Sequence, residues 1–355
     1  MIDFRYHLVS IVAVFLALAI GIVLGSTELQ GNALDLLNTT SNSLRSQLAA
    51  ASSERDNYAA QATAGEQFAQ AAEPALLAGL LKGDRIVLVT EPGAQDSVIS
   101  GVKQAAADAG ATVTGQISLQ PRFYDDSGET QSALSSTNGS AAQAAGLALP
   151  TTGADQQTYY QEQAAQLIAS TILTAPAAGA AAAAGGTRAG LSASAAQGLL
   201  ASYAQAGFLV ISGQPAAVRA TLAVVITPQT PPSDGASDPA SQVLTAVAKQ
   251  LAVASDATVV AGGVSGSGAS SAMSVLRASS VSGKVSTVDD ADTTYGQITV
   301  IQALAVQVGG GKAASYGVDG ASAISPAPAP TVSPSPSTSP SGPATQKAKA
   351  TGRKR

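Results

Sequence analysis

The sequence feature that most constrains the fold is a long apolar run close to the N-terminus. From Leu8 to Gly25 the chain has 18 residues without a charge, and Ser10 is the only polar residue among them. About 17 to 25 such residues are enough to cross the hydrocarbon core of a bilayer as a helix. The run therefore predicts that residues 1–26 form a single transmembrane helix.

The charges on either side of this run predict its orientation. Arg5 and His7 precede it, whereas Glu28 and Asp35 follow it. Because basic residues are retained on the cytoplasmic side of a membrane, we expect a cytoplasmic N-terminus. The rest of the chain would then be extracytoplasmic.

The run could be a permanent anchor or a secretion signal that is cut away. A cleaved signal has an apolar region of about 7–15 residues and small residues before its cleavage site. This run is longer, and Leu24 stands where a small residue is needed next to Gly25 and Ser26. The sequence therefore favours an uncleaved anchor, in which the G-x-x-x-G pair at Gly21 and Gly25 would let two anchors pack closely.

The segment from 27 to 74 has helix-forming composition and is predicted to be a stalk. Four of its residues recur at intervals of seven: Leu37, Leu44, Ala51 and Tyr58. Such a heptad indicates a short coiled coil, through which the chain could form a homo-oligomer together with its anchor. The alternative is a single helix packed on its own domain. Glu73-Pro74 is expected to end the helix.

A different pattern begins near residue 83 and predicts an α/β domain over 83–318. The run RIVLVT (85–90) is typical of a strand that is buried on both faces. An amphipathic helix (97–110) and a second strand (111–119) follow, which predicts two parallel strands joined by a right-handed crossover. Further strands are expected at 208–212, 222–227, 257–263 and 284–290, and further helices at 193–207, 241–255 and 296–311. The predicted fold class is therefore α/β, a mostly parallel sandwich domain carried on a helical stalk.

Two segments of low complexity are expected to lie outside the packed fold. The Ala/Gly-rich stretch 175–186 is predicted to be a linker within the domain. The Pro/Ser-rich segment 321–355 cannot bury enough apolar surface to fold and is predicted to be a disordered tail. Its last nine residues carry five basic residues, whereas the whole chain has a net charge of −5. A nucleic-acid-binding protein would instead have a basic body, so no nucleic-acid partner is expected.

The residue inventory excludes several kinds of active site. The chain has no cysteine, and His7, beside the apolar run, is its only histidine. Catalytic triads of the Ser/His/Asp or Cys/His type are therefore not expected, and neither are thiolate or zinc-thiolate sites. Tight copper sites use Cys, Met or His, and Met273 is the only such residue beyond the apolar run. We accordingly predict that the chain is not an enzyme and binds no cofactor.

Two short motifs resemble known catalytic or phosphate-binding sites. The sequence DDADTT (289–294) imitates the D-x-D-x-T motif of haloacid-dehalogenase-type phosphatases, but a turn followed by a helix N-cap is the favoured interpretation. Asp289, Asp290 and Asp292 are weak candidates for holding a hydrated divalent ion. The glycine-rich segment 262–271 lacks the order of a phosphate-binding loop, so a turn between a strand and a helix is expected there.

Two stretches resemble a known family. The start, RYHLVSIVAVFLALAIGIVLGS, resembles the N-terminal signature of the mycobacterial copper transporter B (MctB) family. The segment VSTVDDADTTYGQITVIQALAVQVGGGKAASYG (285–317) is similar to the C-terminal motif of that family. The resemblance covers about residues 1–318 and implies a pore-forming or export-associated protein of the actinobacterial cell envelope, with the outer membrane as a further location. It also implies copper as the transported ion and a role in lowering intracellular copper.

Two other functions stay open at this stage. The stalk and tail would also suit a membrane-anchored scaffold whose coiled stalk and α/β head bind a protein or a cell-wall partner, without binding copper directly. An extracytoplasmic α/β enzyme is the third alternative, although the inventory supplies no mechanism for it. The two are distinguished from copper transport by whether loss of the chain changes cellular copper.

Overall fold

The computed structural model describes residues 4–149, 158–174, 191–229, 238–263, 271–319 and 321–326, apart from the side chains of 26–34. The predicted linker 175–186, most of the predicted tail and residues 264–270 of the glycine-rich segment lie outside the described residues. The rest forms one very long helix and an α/β head. This agrees with the fold class predicted from the sequence.

The anchor and the stalk are a single helix, α1, which extends over Phe4–Leu77. At about 1.5 Å per residue its 74 residues are about 110 Å long. Within the described residues, Phe4–Gly25 is the one stretch apolar and long enough to cross a membrane, and its side chains are exposed. The expectation that the helix ends at Pro74 is wrong. Pro74 lies in the last turn, where its missing N–H costs a single helical bond, and α1 continues to Leu77.

The head is built on a seven-stranded sheet with the order β3-β2-β1-β4-β5-β6-β7. Its strands are β1 (Arg85–Thr90), β2 (Thr112–Leu119), β3 (Leu209–Gly213), β4 (Leu222–Ile226), β5 (Ala257–Ala261), β6 (Ser286–Val288) and β7 (Ser315–Tyr316). All neighbours are parallel except β3, which pairs antiparallel with β2. The predicted parallel pairing of β1 with β2 is confirmed.

Helices cover both faces of the sheet. They are α2 (Asp96–Asp108), α3 (Gly128–Ala144), α4 (Tyr159–Ile172), α5 (Ala193–Gln205), α6 (Pro239–Ala254), α7 (Ala272–Ala278) and α8 (Thr294–Val308). Alternate residues of β1 enter opposite cores: Val87 and Val89 pack beneath α3 to α7, whereas Ile86 and Leu88 pack beneath α2 and α8. This two-sided burial explains why β1 is an uninterrupted run of apolar residues.

The last turns of α1 belong to the head. Ala69 and Leu77 are buried in the same core as α2 and α8, and α1 contacts both of these helices. Between Asp35 and Gln61 the side chains of α1 are exposed, with Ser41 partly covered. The helix thus leaves the head as a free rod that leads toward the apolar span.

Candidate functional site

The acidic turn after β6 places its three carboxylates in different environments. Asp289 is buried and forms an ion pair with Arg277, with 2.8 Å between its Oδ2 and Nη2 of the arginine. It also accepts hydrogen bonds from the backbone N–H groups of Val318 at 2.7 Å and Asp319 at 3.1 Å. Its oxygens are therefore occupied by the protein's own donors, and they fasten the segment after β7 to the sheet.

Asp290 is fully buried, and neither of its carboxylate oxygens has a hydrogen-bond partner among the described residues. Burial, reinforced by the nearby charge of Asp289, raises its pKa to about 6. The carboxyl group is therefore protonated more easily than an ordinary aspartate, although the positive charge of Arg277 opposes this shift. Asp292, by contrast, is exposed.

The same turn caps α8, as the sequence predicts. The side-chain oxygen of Thr293 accepts a hydrogen bond from the backbone N–H of Gly296 at 3.1 Å. Gly296 is required here because a Cβ at this position would lie 1.9 Å from the backbone oxygen of Asp290. Within the described ranges there is no group of three or more His, Cys, Asp or Glu that could hold a metal. The hydrated ion at Asp289, Asp290 and Asp292 thus stays a prediction.

The stalk is joined to the head at the N-terminus of α8. The carboxylate of Glu66, on α1, accepts a hydrogen bond from the backbone N–H of Thr294 at 2.9 Å and another from its side-chain hydroxyl. A carboxylate at a helix N-terminus satisfies a free N–H and is favoured by the helix dipole. Two turns later, Glu73 is also buried against the head, and burial together with Asp108 and Glu66 raises its pKa.

An open groove lies beside this junction, between α1 and α8. It has a volume of about 1120 Å³. Its walls combine small residues of α1 with larger apolar residues of both helices, and polar residues such as Glu66, together with the segment 324–326, also line it. The small and apolar wall residues include Ala62, Gly65, Phe68, Ala72, Leu76, Tyr295 and Ile298. The side chain of Phe68 is 74% exposed, so the groove presents apolar surface to solvent.

A second polar site lies at the switch point of the sheet, where the chain order reverses between β1 and β4. Glu91 follows β1 directly, is buried, and accepts a hydrogen bond of 2.7 Å from the hydroxyl of Tyr124. Burial raises the pKa of Glu91 to about 7, although the bond from Tyr124 opposes this shift. Ligands of open α/β sheets commonly bind at such switch points. The sequence analysis missed Glu91, but its place directly after a buried strand was the signal that could have identified it.

The residues that copper favours are far apart. Met273, on α7, is buried in the core, whereas His7 lies exposed on the apolar end of α1. His7 belongs to no group of three or more His, Cys, Asp or Glu among the described residues. The absence of a tight copper site thus stays a prediction from the residue inventory.

Comparison with known proteins identifies relatives over nearly the whole chain. The model of the family described as "Copper transport outer membrane protein, MctB" matches residues 1–326. The protein named Copper transporter MctB of Mycobacterium tuberculosis (strain ATCC 25618 / H37Rv) is 30% identical over 318 residues, which cover 89% of this chain and 96% of that protein. The protein of the same name from Mycobacterium leprae (strain TN) is 29% identical over 330 residues, which cover 92% of this chain and 99% of the relative.

Proposed function

This chain belongs to the MctB family, and we propose that it transports copper out of the cell as a component of the cell envelope, lowering intracellular copper. The observation that carries the proposal is the family match over residues 1–326, which includes the apolar span, the stalk and the head. The relatives that bear the name of copper transporter align over nearly their whole length. The function therefore concerns the entire chain rather than one shared domain.

The proposed topology is supported by the apolar stretch Phe4–Gly25, which is long enough to cross a membrane. The N-terminus would lie in the cytoplasm and the head outside the cell membrane, because Arg5 and His7 precede the span while Glu28 and Asp35 follow it. From Gly25 to Glu66 the helix rises about 60 Å, which would hold the head well away from the lipid. The family description names the outer membrane. We assign the span to a cell-envelope membrane, and fractionation of envelope membranes would identify which one.

Copper would cross the membrane with the help of this protein without binding tightly to it. One apolar helix cannot form a path through lipid, because the backbone of a single helix encloses no channel. A path formed by this chain therefore requires several anchors to come together, and we propose that they do so by self-association through stalk and anchor. The ion would move hydrated or bound to a partner, and the chain would act as a transport component without enzymatic activity.

Cellular copper is the measurement that tests this proposal. Deletion of the gene should raise the copper content of cells grown with added copper salt, and growth should become copper-sensitive. The full chain should restore both properties, whereas zinc and iron contents should not change. An unchanged copper content after deletion would refute the proposal.

A further inference from the structure

The groove between α1 and α8 lies on the continuation of the stalk's heptad pattern. The series Leu37, Leu44, Ala51 and Tyr58 continues at the same interval to Gly65 and Ala72. A second series at the same interval contains Leu48, Arg55 and Ala62 and continues to Ala69 and Leu76, with Arg55 as its charged member. Gly65, Ala69, Ala72 and Leu76 all line the groove. The heptad seam of the stalk, mostly small or apolar residues, therefore runs into the groove without a change of register.

We propose that this groove receives helix α1 of a second copy of the chain, so that two stalks form a parallel pair that extends into the two heads. The inference rests on the self-association of the stalk proposed above and does not depend on copper. Both copies are anchored in one bilayer, so their helices are parallel and equal residues stand at equal height. In a parallel two-stranded coiled coil each seam residue then faces the same residue of the partner.

The residues that line the groove suit the close approach of a helix. Its floor consists of Ala62, Gly65, Ala69 and Ala72, and small residues allow two helices to approach closely. Phe68 and Leu76 stand beside the floor and are 74% and 50% exposed. On the head side, Tyr295 and Ile298 complete the wall. A helix in this position would cover these side chains.

The charges agree with this arrangement. Glu66 and Glu73 lie beside the seam, where acidic residues of two parallel helices would repel each other. Glu66 lines the groove, but its carboxylate accepts hydrogen bonds from Thr294, while Glu73 is buried against the head. The head thus binds one carboxylate and buries the other, which reduces the repulsion between the two chains.

The extent of the seam is sufficient for a dimer. From Leu37 to Leu76 the helix is about 60 Å long, and a seam about 10 Å wide covers about 600 Å² on each chain. Two chains would together bury about 1,200 Å², which is the lower end of stable specific interfaces. The stalk without the groove, from Leu37 to Tyr58, would cover only about half this area.

Single cysteines test the proposal, because the natural chain has none. The full chain in its membrane is oxidised with diamide, and covalent dimers are measured by non-reducing electrophoresis. Ala72→Cys should form dimers efficiently, and Gly65→Cys, which meets nothing within 4 Å of its Cβ, should do the same. Ala71→Cys is the matched control, because Ala71 is exposed on another side of the helix and does not line the groove. We expect the fraction of covalent dimer to be at least tenfold higher for Ala72→Cys than for Ala71→Cys.

A further variant separates this inference from stalk association itself. Leu44→Cys reports on the stalk alone. If Leu44→Cys forms dimers and Ala72→Cys and Gly65→Cys do not, the stalks associate and the groove proposal is wrong. Equal cross-linking of Ala72→Cys and Ala71→Cys would also refute it, because random collisions would explain both. If Ala72→Cys reacts only after deletion of residues 327–355, the occupant is the chain's own tail and not a second copy.

Discussion

The carboxylate of Glu66 accepts hydrogen bonds from both the backbone N–H and the side-chain hydroxyl of Thr294. Glu66 and Thr294 are 228 positions apart in the sequence. This contact joins the long helix to the first turn of α8. Since α8 packs against α2, β5 and β6, the bond links the stalk to the sheet and helices of the head. The orientation of the head relative to α1 depends on this junction.

Replacement of Glu66 by Ala should destabilise the head and its docking to α1. A hydrogen bond to a charged group contributes about 1.5–3 kcal/mol, and the variant leaves the N–H of Thr294 without its partner. We expect the free energy of unfolding, measured by denaturant titration, to fall by about 2 kcal/mol. Glu54→Ala is the control, because Glu54 is exposed on the same helix away from the head, and it should change stability by less than about 0.5 kcal/mol. Equal effects of the two variants would contradict the assigned role.

Glu91 should make the head less stable as the pH rises. Its pKa is about 7 in the folded chain and 4.5 in its ordinary state, so between these values the folded chain binds the proton more strongly. The stabilisation of the folded chain by the protonated Glu91 side chain is complete below about pH 4.5 and is lost by about pH 7. A shift of this size corresponds to about 3 kcal/mol. Asp290 and Glu73, with raised pKa values, act in the same direction.

The variant Glu91→Gln isolates this effect, because an amide oxygen can still accept the hydrogen bond from Tyr124. Relative to the natural chain, the variant should gain stability steadily between pH 4.5 and 7 and then remain constant. Tyr124→Phe should extend the transition to higher pH, because it removes the bond that lowers the pKa. A stability difference between Glu91→Gln and the natural chain that is independent of pH would show that Glu91 does not titrate in this range.

Gly296→Ala should be strongly destabilising. The added Cβ would lie 1.9 Å from the backbone oxygen of Asp290, and this atom cannot move without disrupting the turn that caps α8. We expect a loss of about 3 kcal/mol or more, measured by thermal unfolding. Gly139→Ala in α3 is the matched control, since nothing lies within 4 Å of its Cβ, and it should stabilise the chain by about 0.5–1 kcal/mol. A similar result for both variants would mean that the close contact at Gly296 is absent in solution.

The side chains with the greatest affinity for copper should be dispensable for transport. Met273 is buried in the core, and Met273→Leu conserves its volume. We expect cells that carry this variant or His7→Gln to keep the natural copper content, measured by mass spectrometry of washed cells. A rise as large as that caused by deletion of the gene, in a variant that accumulates to the natural level, would contradict this prediction.

The sequence was most informative where local pattern and tertiary environment agree. β1, α2 and β2 could be predicted because a run buried on both faces and an amphipathic helix are distinctive. Helix α3 was missed because GETQSALSSTNGSAAQA is nearly without apolar periodicity, and its helicity depends on packing against α4 and α5. The antiparallel direction of β3 is set by its pairing with β2, which no local pattern records.

The same distinction between local patterns and tertiary contacts applies to the candidate sites. A helix N-cap within residues 289–294 was predicted, because N-cap preferences are local, and the structure assigns this role to Thr293. The raised pKa of Glu91 and the absence of hydrogen-bond partners around Asp290 arise from burial by residues distant in sequence. The groove could not be predicted either, since it requires the docking of α1 on α8. Its floor nevertheless follows the heptad that the sequence displays.

The central claim is that α1 remains in the membrane and holds the head outside the cytoplasm. Single cysteines at Phe4 and Ser52, at opposite sides of the apolar span, test this most directly when intact cells are treated with a membrane-impermeant maleimide. The account predicts that Ser52→Cys is labelled in intact cells, that Phe4→Cys is labelled only after permeabilisation, and that both are found on the full-length membrane-bound chain. Labelling of Phe4→Cys alone in intact cells, or loss of residue 4 from the mature chain, would contradict it.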